Sequence, residues 1–300
     1  MVTGSGALRA QTVANAADVA VGVFLLIGVL VSVRPADETH PLGYGRERFF
    51  WSLFAALGIF VGGGGLAVAG AIGAALHPSH IHSYPVGYAV LAATFLLDAW
   101  AFGVALRPAL RHAANRGISL ARFLPQNTDT ASTTVVVSGG CAVVGAVVAA
   151  AGLALSQLTG SATPDTVASA LIGVLLLVAS VLLLQTNREL LTGRGLPPAM
   201  LREMTQVIAA QAGVVGVGDL FGVVVGPGSL IVDGDITFDD DLDVPAVERT
   251  IMQSAAALRE RWPTIDYIYL TPVPQARARR WPWRSLVPAV DGNEAETGMP

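Results

Sequence analysis

Five apolar stretches, each long enough to cross a lipid bilayer, constrain this chain more than any other feature of its sequence. A helix needs about 20 mainly apolar residues to cross the hydrocarbon core, and such stretches occupy residues 7–33, 49–76, 86–106, 133–156 and 166–187. Lipid cannot hydrogen-bond to the backbone, so each stretch is expected to form a complete helix. The composition, 53% hydrophobic and 13% charged residues, also fits a multi-pass integral membrane protein.

The positions of the arginines predict the orientation of these helices, because short cytoplasmic loops retain positive charge. The loop after the first stretch and the loop after the third contain Arg34, Arg46, Arg48, Arg107, Arg111, Arg116 and Arg122. The loops at 77–85 and 157–165 contain no arginine, and the chain has no lysine. This alternation predicts a cytoplasmic C-terminus and, through five spans, an N-terminus outside. Since nothing before the first stretch could carry the start across, we expect that one N-terminal helix is missing.

A change of composition predicts where the membrane part ends. Residues 1–192 are predicted to form a transmembrane domain, with Asn187, Arg188 and Glu189 marking the exit from the membrane. Residues 198–273 are predicted to form a cytoplasmic domain. Residues 274–300 are rich in Arg, Pro, Gly and Glu without apolar periodicity, which predicts a disordered tail.

The pattern of the cytoplasmic domain predicts two helices and three strands. The helices are expected at 198–212 and from Asp243 to about Trp262, and the strands at 214–225, 229–238 and 265–270. An acidic cap and an early proline favour the start of the second helix. The order αββαβ is typical of a small α+β domain of the ferredoxin-like type.

Charge and cysteine content exclude several functions. A net charge of -4 without a dense basic patch argues against nucleic-acid binding. The single cysteine, Cys141, excludes an intrachain disulfide. The sequence contains no nucleophile and base constellation and no cofactor motif, so neither an enzyme nor a tightly bound cofactor is expected.

The segment from Arg34 to Trp51 resembles the signature loop of the cation diffusion facilitator family, which lies between the second and third transmembrane helices of that family. Its characteristic residues here are Asp37, His40, Gly43, Tyr44, Gly45, Arg46 and Glu47. For this loop the expected role is structural, through charge pairing at the cytoplasmic face. Asp165 and the stretch 190–193 also fall where the family would place them. The resemblance extends to about residue 273 and implies six helices, so this chain resembles a member without the first helix.

The resemblance implies a function and partners. Family members export a divalent metal cation, usually zinc, in exchange for protons. They act as dimers whose C-terminal domains meet in the cytoplasm. The implied partners are therefore the lipid bilayer, the cation, protons and a second chain, either identical or from another family member.

Asp18 is the candidate metal ligand that the residues themselves favour. A carboxylate in mid-span costs several kcal/mol to insert, and Asn15 lies on the same helical face. The alternative is an aspartate that hydrogen-bonds to other helices. The resemblance implies a ligand pair at Ala14 and Asp18, and a second pair at or near Val135 and Gly139. Only Asp18 among these four has a metal-binding side chain, so the expected site is incomplete.

Asp98 is a second carboxylate in mid-span and could share a cation or a proton with Asp18. A purely structural hydrogen bond is the alternative. Cys141 is expected to be a packed thiol rather than a ligand. The external loop contains His77, His80 and His82, which could bind zinc or could be an ordinary polar loop. The acidic run 239–241, together with Asp243, could bind a divalent ion at the dimer interface or could form a solvated turn.

Two functions remain after these considerations. The first is a zinc transporter of the cation efflux type that exports the metal in exchange for protons. The alternative is a non-transporting relative that acts as a dimer partner or scaffold, because the metal site is degenerate.

Overall fold

The computed structural model describes residues 6–76, 84–115 and 117–274, and in the first helix it describes side chains from Val19 onward. The predictions for His77, His80 and His82 and for the disordered tail lie outside the described residues. The same holds for the side chains of Asn15 and Asp18, although their backbone belongs to the first helix.

Seven helices and a π-helical segment make up the first part of the chain that the structure describes. They are α1 Gly6–Ser32, α2 Glu47–Gly58, the π-helix Ile59–Gly65, α3 Leu66–Leu76, α4 Tyr84–Asn115, the short α5 Leu120–Gln126, α6 Thr130–Thr159 and α7 Thr163–Leu191. Helix α2, the π-helix and α3 form one continuous apolar helix.

Four of the five predicted spans are confirmed. The helices Glu47–Leu76, Gly87–Asn115, Thr130–Thr159 and Thr163–Leu191 are long and apolar enough to cross a membrane. The first predicted span falls on α1, a helix of 27 residues. Its described apolar part, Val19–Ser32, is shorter than a membrane crossing requires, so the fifth span stays a prediction.

Capping residues explain where the membrane helices begin and end. Asp129 caps α6, because its side chain accepts a hydrogen bond from the Ser132 backbone N–H. Gly160 ends the same helix with φ 67, a left-handed conformation that favours glycine.

Helix α4, which contains the third predicted span, continues past the predicted end of that span at 106 to Asn115. Hydropathy marks only the part of a helix that lies within hydrocarbon, whereas the helix itself can continue into water.

The last membrane helix also continues past its predicted end at 187. Helix α7 ends at Leu191, and Asn187 is only 1% exposed. A helical residue one turn after the buried Leu183 lies on the same inward face. The side chain of Asn187 is therefore enclosed by other helices, although its polarity predicts contact with water.

The helices pack through small residues and one shared apolar cluster. Its members are Val21, Leu25, Ala55, Ala56, Ile59, Ala131 and Leu183, contributed by α1, the α2 to π-helix segment, α6 and α7. Glycines allow close approach between these helices. A methyl group on Gly152 would lie 2.5 Å from Ala168 Cβ, so α6 and α7 are in contact there at the backbone.

A second compact unit follows the membrane helices. It contains α8 Pro198–Ala209, β1 Val214–Gly226, β2 Ser229–Phe238, α9 Val244–Arg261 and β3 Ile265–Pro272. This is the predicted small α+β unit with its αββαβ order. The sheet order is β1-β2-β3, and β2 and β3 run parallel.

The core of this unit lies between its helices and one face of the sheet. Met204 and Ile208 of α8, Val232 and Ile236 of β2 and Leu258 of α9 are all 0% exposed. The parallel register pairs Val232 with Ile268. On β2, Asp233 and Asp235 alternate with Val232 and Ile236 and therefore lie on the opposite face.

Candidate functional site

The loop between α1 and α2 is organised around the carboxylate of Asp37. One carboxylate oxygen, Oδ1, accepts hydrogen bonds from Thr39 N at 3.0 Å, Thr39 Oγ1 at 2.7 Å and His40 N at 2.7 Å. The other, Oδ2, accepts one from Tyr44 Oη at 2.7 Å. The Tyr44 hydroxyl, followed by the Thr39 hydroxyl, holds the pKa of Asp37 well below its usual range. The loop is thus fixed by its own side chains.

His40, Gly43 and Tyr44 complete the turn. The His40 and Tyr44 rings lie 4.1 Å apart between centroids, and Gly43 N donates to His40 O at 2.9 Å. Gly43 has φ 74, a conformation that side chains other than glycine rarely adopt. The arrangement gives a structural reason for these residue types at these positions.

Arg46 and Glu47 contribute to the loop through hydrogen bonds to residues of α2 rather than through an ion pair with each other. The Arg46 carbonyl accepts hydrogen bonds from the backbone of Phe49 at 3.0 Å and of Phe50 at 3.2 Å. Glu47 Oε2 accepts one from Trp51 Nε1 at 3.0 Å. Arg46 is therefore the N-cap of α2, and Glu47 is its first residue.

Sequence reasoning missed the ion pair that joins α2 to α6. Arg48 Nη1 lies 3.2 Å from Asp129 Oδ1, with side-chain exposures of 16% and 36%. Asp129 also caps α6 through Ser132, whose Oγ donates to Oδ2 at 2.6 Å. An aspartate followed by small polar residues before an apolar run is an N-cap pattern, so the sequence contained a signal for this residue but none for its partner.

The depth of Asp18 follows from the packing of α1 against α2. A methyl group on Gly58 would lie 3.1 Å from Val21 Cγ2, and one on Gly28 would lie 2.9 Å from Trp51 Cβ. The two helices are therefore antiparallel. Asp18 lies almost one turn beyond Val21, which places its backbone level with the π-helix Ile59–Gly65. π-Helical segments occur frequently at functional sites.

Asp98 lies in α4 one turn from a tight contact with α6. A methyl group on Gly139 would lie 3.3 Å from Phe102 Cδ2 and 3.6 Å from Phe102 Cα. Asp98 precedes Phe102 by one helical turn and is partly exposed. The position at which the family resemblance implies a ligand on α6 is thus occupied by packing against an aromatic ring.

The remaining positions on α6 provide no ligand cluster. Ser138 Oγ donates to Val135 O of its own helix at 3.3 Å, and the Val135 side chain is 41% exposed. Cys141 is a free, partly buried thiol. Among the residues that the structure describes, no group of three or more His, Cys, Asp or Glu side chains could hold a metal ion.

Restoring a carboxylate at Gly139 is expected to destabilise the protein rather than complete the site. The Cβ of Gly139→Asp would lie 3.3 Å from Phe102 Cδ2, so the Phe102 ring would have to shift, which we expect to cost about 1–3 kcal/mol of unfolding free energy. The double variant with Phe102→Ala should recover part of that loss, which thermal unfolding in detergent measures as non-additivity. A Gly139→Asp protein as stable as the wild type would contradict the packing seen here.

In the C-terminal unit the acidic run behaves as a turn and a cap. Asp239 Oδ1 accepts a hydrogen bond from Asp241 N at 3.2 Å, and Asp243 Oδ1 accepts one from Ala246 N at 2.9 Å. On the sheet, Asp219, Asp233 and Asp235 line a cavity of about 250 Å³. Burial, and then the charge of Asp235, raises the pKa of Asp233.

Comparison with known proteins identifies the membrane part. Residues 1–192 match the model of the cation efflux transmembrane domain. The chain is 27% identical over 237 residues to the human protein named proton-coupled zinc antiporter SLC30A9, mitochondrial, covering 79% of this chain and 42% of that protein. It is 30% identical over 240 residues to metal tolerance protein C4 of Arabidopsis thaliana, covering 80% of this chain and 52% of that protein. The chain thus spans about half the length of these relatives.

The C-terminal unit also matches solved structures. A structure titled MamM-CTD 215-293 is 19% identical, covers 26% of this chain and 96% of its own, and gives a TM-score of 0.24. At this TM-score the likeness supports no functional inference.

Proposed function

Because the chain belongs to the cation efflux, or cation diffusion facilitator, family, we propose that it moves zinc across the membrane in exchange for protons. The observation that carries the proposal is the match of the family model over residues 1–192. The printed name of the human relative, a proton-coupled zinc antiporter, supports zinc as the cargo and protons as the counter-ion. Transport by such carriers needs a site near the middle of the membrane.

We propose Asp18 as the main ligand of that site, with Asn15 on the same face of α1 and Asp98 as a second carboxylate. The depth of Asp18, level with the π-helix, supports this assignment. Carboxylates in mid-membrane are costly and usually functional. A carboxylate can also bind a proton when the metal has left, which would couple the two ions.

The donor set predicts weak and poorly selective binding. Zinc sites use Cys, His, Asp or Glu side chains, usually four of them, whereas this proposed site has two carboxylates and an amide. Neutral oxygen donors favour harder cations than zinc. A low affinity is therefore part of the proposal, and other divalent cations belong in its test.

The placement of the arginines supports an orientation and an assembly. We propose that residues 198–273 lie in the cytoplasm, because the alternation of spans predicts that the chain leaves the membrane on the side of the loops with Arg46 and Arg111. A dimer, either with an identical chain or with another family member, is the assembly that family membership favours.

A second function, that of a non-transporting dimer partner or scaffold, is favoured by one observation. Phe102 packs where the family resemblance implies a ligand at Gly139. Such a chain would retain the fold of the family without moving a cation.

Flux through proteoliposomes tests the proposal against this alternative. The purified chain is reconstituted with a dye inside that responds to divalent transition-metal ions, and zinc or another of these metals is added outside while the interior is acidic. We expect uptake faster than in empty vesicles, and we expect a protonophore to slow it. If zinc, manganese, iron(II) and cobalt all enter no faster than in empty vesicles, the chain alone is not a transporter and the scaffold function is supported.

A further inference from the structure

Four buried polar side chains form a layer inside the helix bundle, near the end at which α2 and α6 begin and α7 ends. This polar layer consists of Ser52, Thr130, Thr134 and Asn187, with exposures of 1%, 1%, 0% and 1%. Thr130 Oγ1 donates to Ser52 Oγ at 3.0 Å, and Thr134 Oγ1 donates to Thr130 O at 2.8 Å. The layer thus links at least α2 and α6 by a side-chain hydrogen bond.

Helix α7 runs antiparallel to both neighbouring segments. A methyl group on Gly63 would lie 3.2 Å from Leu176 Cδ1, and one on Gly173 would lie 2.7 Å from Val68 Cγ2. Residues later in the α2 to α3 helix therefore contact residues earlier in α7. Helices α6 and α7 are related in the same way. A methyl group on Gly145 would lie 3.5 Å from Ile172 Cγ2, and one on Gly152 would lie 2.5 Å from Ala168 Cβ.

The antiparallel packing places Asn187 near the depth of Ser52 and Thr130. Ala55, Ala131 and Leu183 belong to one buried cluster. Ser52 lies one turn before Ala55, while Thr130 is adjacent to Ala131. Asn187 lies one turn after Leu183 on the same helical face. Because α7 runs in the opposite direction to α2 and α6, Asn187 lies on the same side of this cluster as Ser52 and Thr130, toward the end of the bundle where α2 and α6 begin.

One atom of the layer lacks a partner. Asn187 Nδ2 donates to Leu183 O at 2.8 Å, but Asn187 Oδ1 is buried and accepts no hydrogen bond from the described residues. A buried acceptor without a partner costs about 1–3 kcal/mol. Because Asn187 is only 1% exposed, bulk solvent does not reach this atom, so it points to a ligand inside the bundle.

The chemistry of the layer selects the ligand. Its side chains are neutral oxygens and an amide, and the described residues contain no metal-binding cluster. A donor is needed at Asn187 Oδ1, and a bare cation would find no counter-charge in the layer. Buried water typically makes about three hydrogen bonds to groups of this kind.

We propose that the polar layer binds an internal water molecule that donates to Asn187 Oδ1. The role of this water rests on the proposed function. If the chain transports a cation, the water can hydrate that cation between the membrane face and Asp18. Asp18 lies level with the π-helix, and therefore deeper in the bundle than Ser52. The layer thus lies between the end of the bundle where α2 begins and the level of the proposed site.

Hydroxyl-radical labelling tests for the water without reference to transport. Radicals produced from a bound water oxidise the side chains beside it, so Leu183 should be labelled although it is 4% exposed. The matched control is Leu153, 7% exposed and distant from the layer. We expect at least fivefold more labelling at Leu183, and we expect Asn187→Leu to reduce it to the Leu153 level while Asn187→Asp retains it. Equal labelling of both leucines in the wild type would overturn the water site.

Flux through proteoliposomes tests the role of the water. If the wild type transports, Asn187→Leu should lower the uptake rate at least tenfold without lowering the melting temperature, because leucine is similar in volume. If Asn187→Leu does not fold, Thr130→Val is the variant to measure, because it removes a hydroxyl of the polar layer and keeps the shape of the side chain. Normal flux in a variant that has lost the labelling would overturn the role in passage. If the wild type does not transport, the proposed function fails, whereas the labelling still decides the water site.

Discussion

Replacing Asp18 with asparagine is expected to reduce zinc uptake into proteoliposomes to the level of empty vesicles. Asparagine has nearly the same shape but no charge, so the change removes the anionic donor of the proposed site and leaves the helix intact. A site with Asp98 and neutral oxygens alone would bind zinc too weakly for measurable transport. The measurement is the initial rate of uptake at a fixed pH gradient.

Two variants control this experiment. Asp18→Glu keeps the carboxylate and should retain part of the uptake, whereas Asp98→Asn shows whether the second carboxylate shares the ion. Melting temperatures in detergent establish that each variant is folded. An Asp18→Asn protein that transports at the wild-type rate would show that the site has been assigned to the wrong residue, even though the chain is a transporter.

Replacing Gly64 with alanine is expected to lower the unfolding free energy by about 1–3 kcal/mol. The new methyl group would lie 2.6 Å from Leu177 Cγ and 3.0 Å from the Leu177 backbone nitrogen. Because the second of these atoms belongs to the backbone of α7, a change of side-chain rotamer cannot relieve the overlap. The π-helix and α7 would have to separate, and thermal unfolding in detergent measures the resulting loss.

The same continuous helix offers a matched control at Gly70. A methyl group on Gly70 meets no atom within 4 Å, so Gly70→Ala should leave stability unchanged or raise it by about 0.5–1 kcal/mol. The two variants make the same chemical change, which isolates the contact with α7. If Gly64→Ala melts at or above the temperature of Gly70→Ala, the close approach of these helices is not present in the folded protein.

Hydropathy was sufficient to locate four membrane helices, but it could not show which way their polar residues face. The last apolar stretch ends at 187 in the sequence, whereas its helix continues to Leu191. Asn187 is polar and therefore suggests an exit to water, yet it is 1% exposed. Whether a polar residue near a helix end faces water or another helix depends on the neighbouring helices.

The candidate site also combines features that could be predicted from the sequence with features that only the structure shows. The signature loop could be recognised from its residues, since local hydrogen bonds such as those of Asp37 join residues close in sequence. The loss of ligands at Val135 and Gly139 was also evident from residue types. The packing of Phe102 on Gly139 was not, because it joins helices that are distant along the chain.

The sequence by itself determined that this protein has membrane helices, a signature loop and a small α+β unit, because apolar length, turn chemistry and strand alternation are local properties. Only the tertiary structure decided which of its polar residues meet. The Arg48 and Asp129 ion pair and the polar layer around Asn187 both depend on the register between helices. That register is set by contacts between a glycine on one helix and a residue of another helix, such as Gly64 with Leu177, and no single stretch of sequence contains both partners.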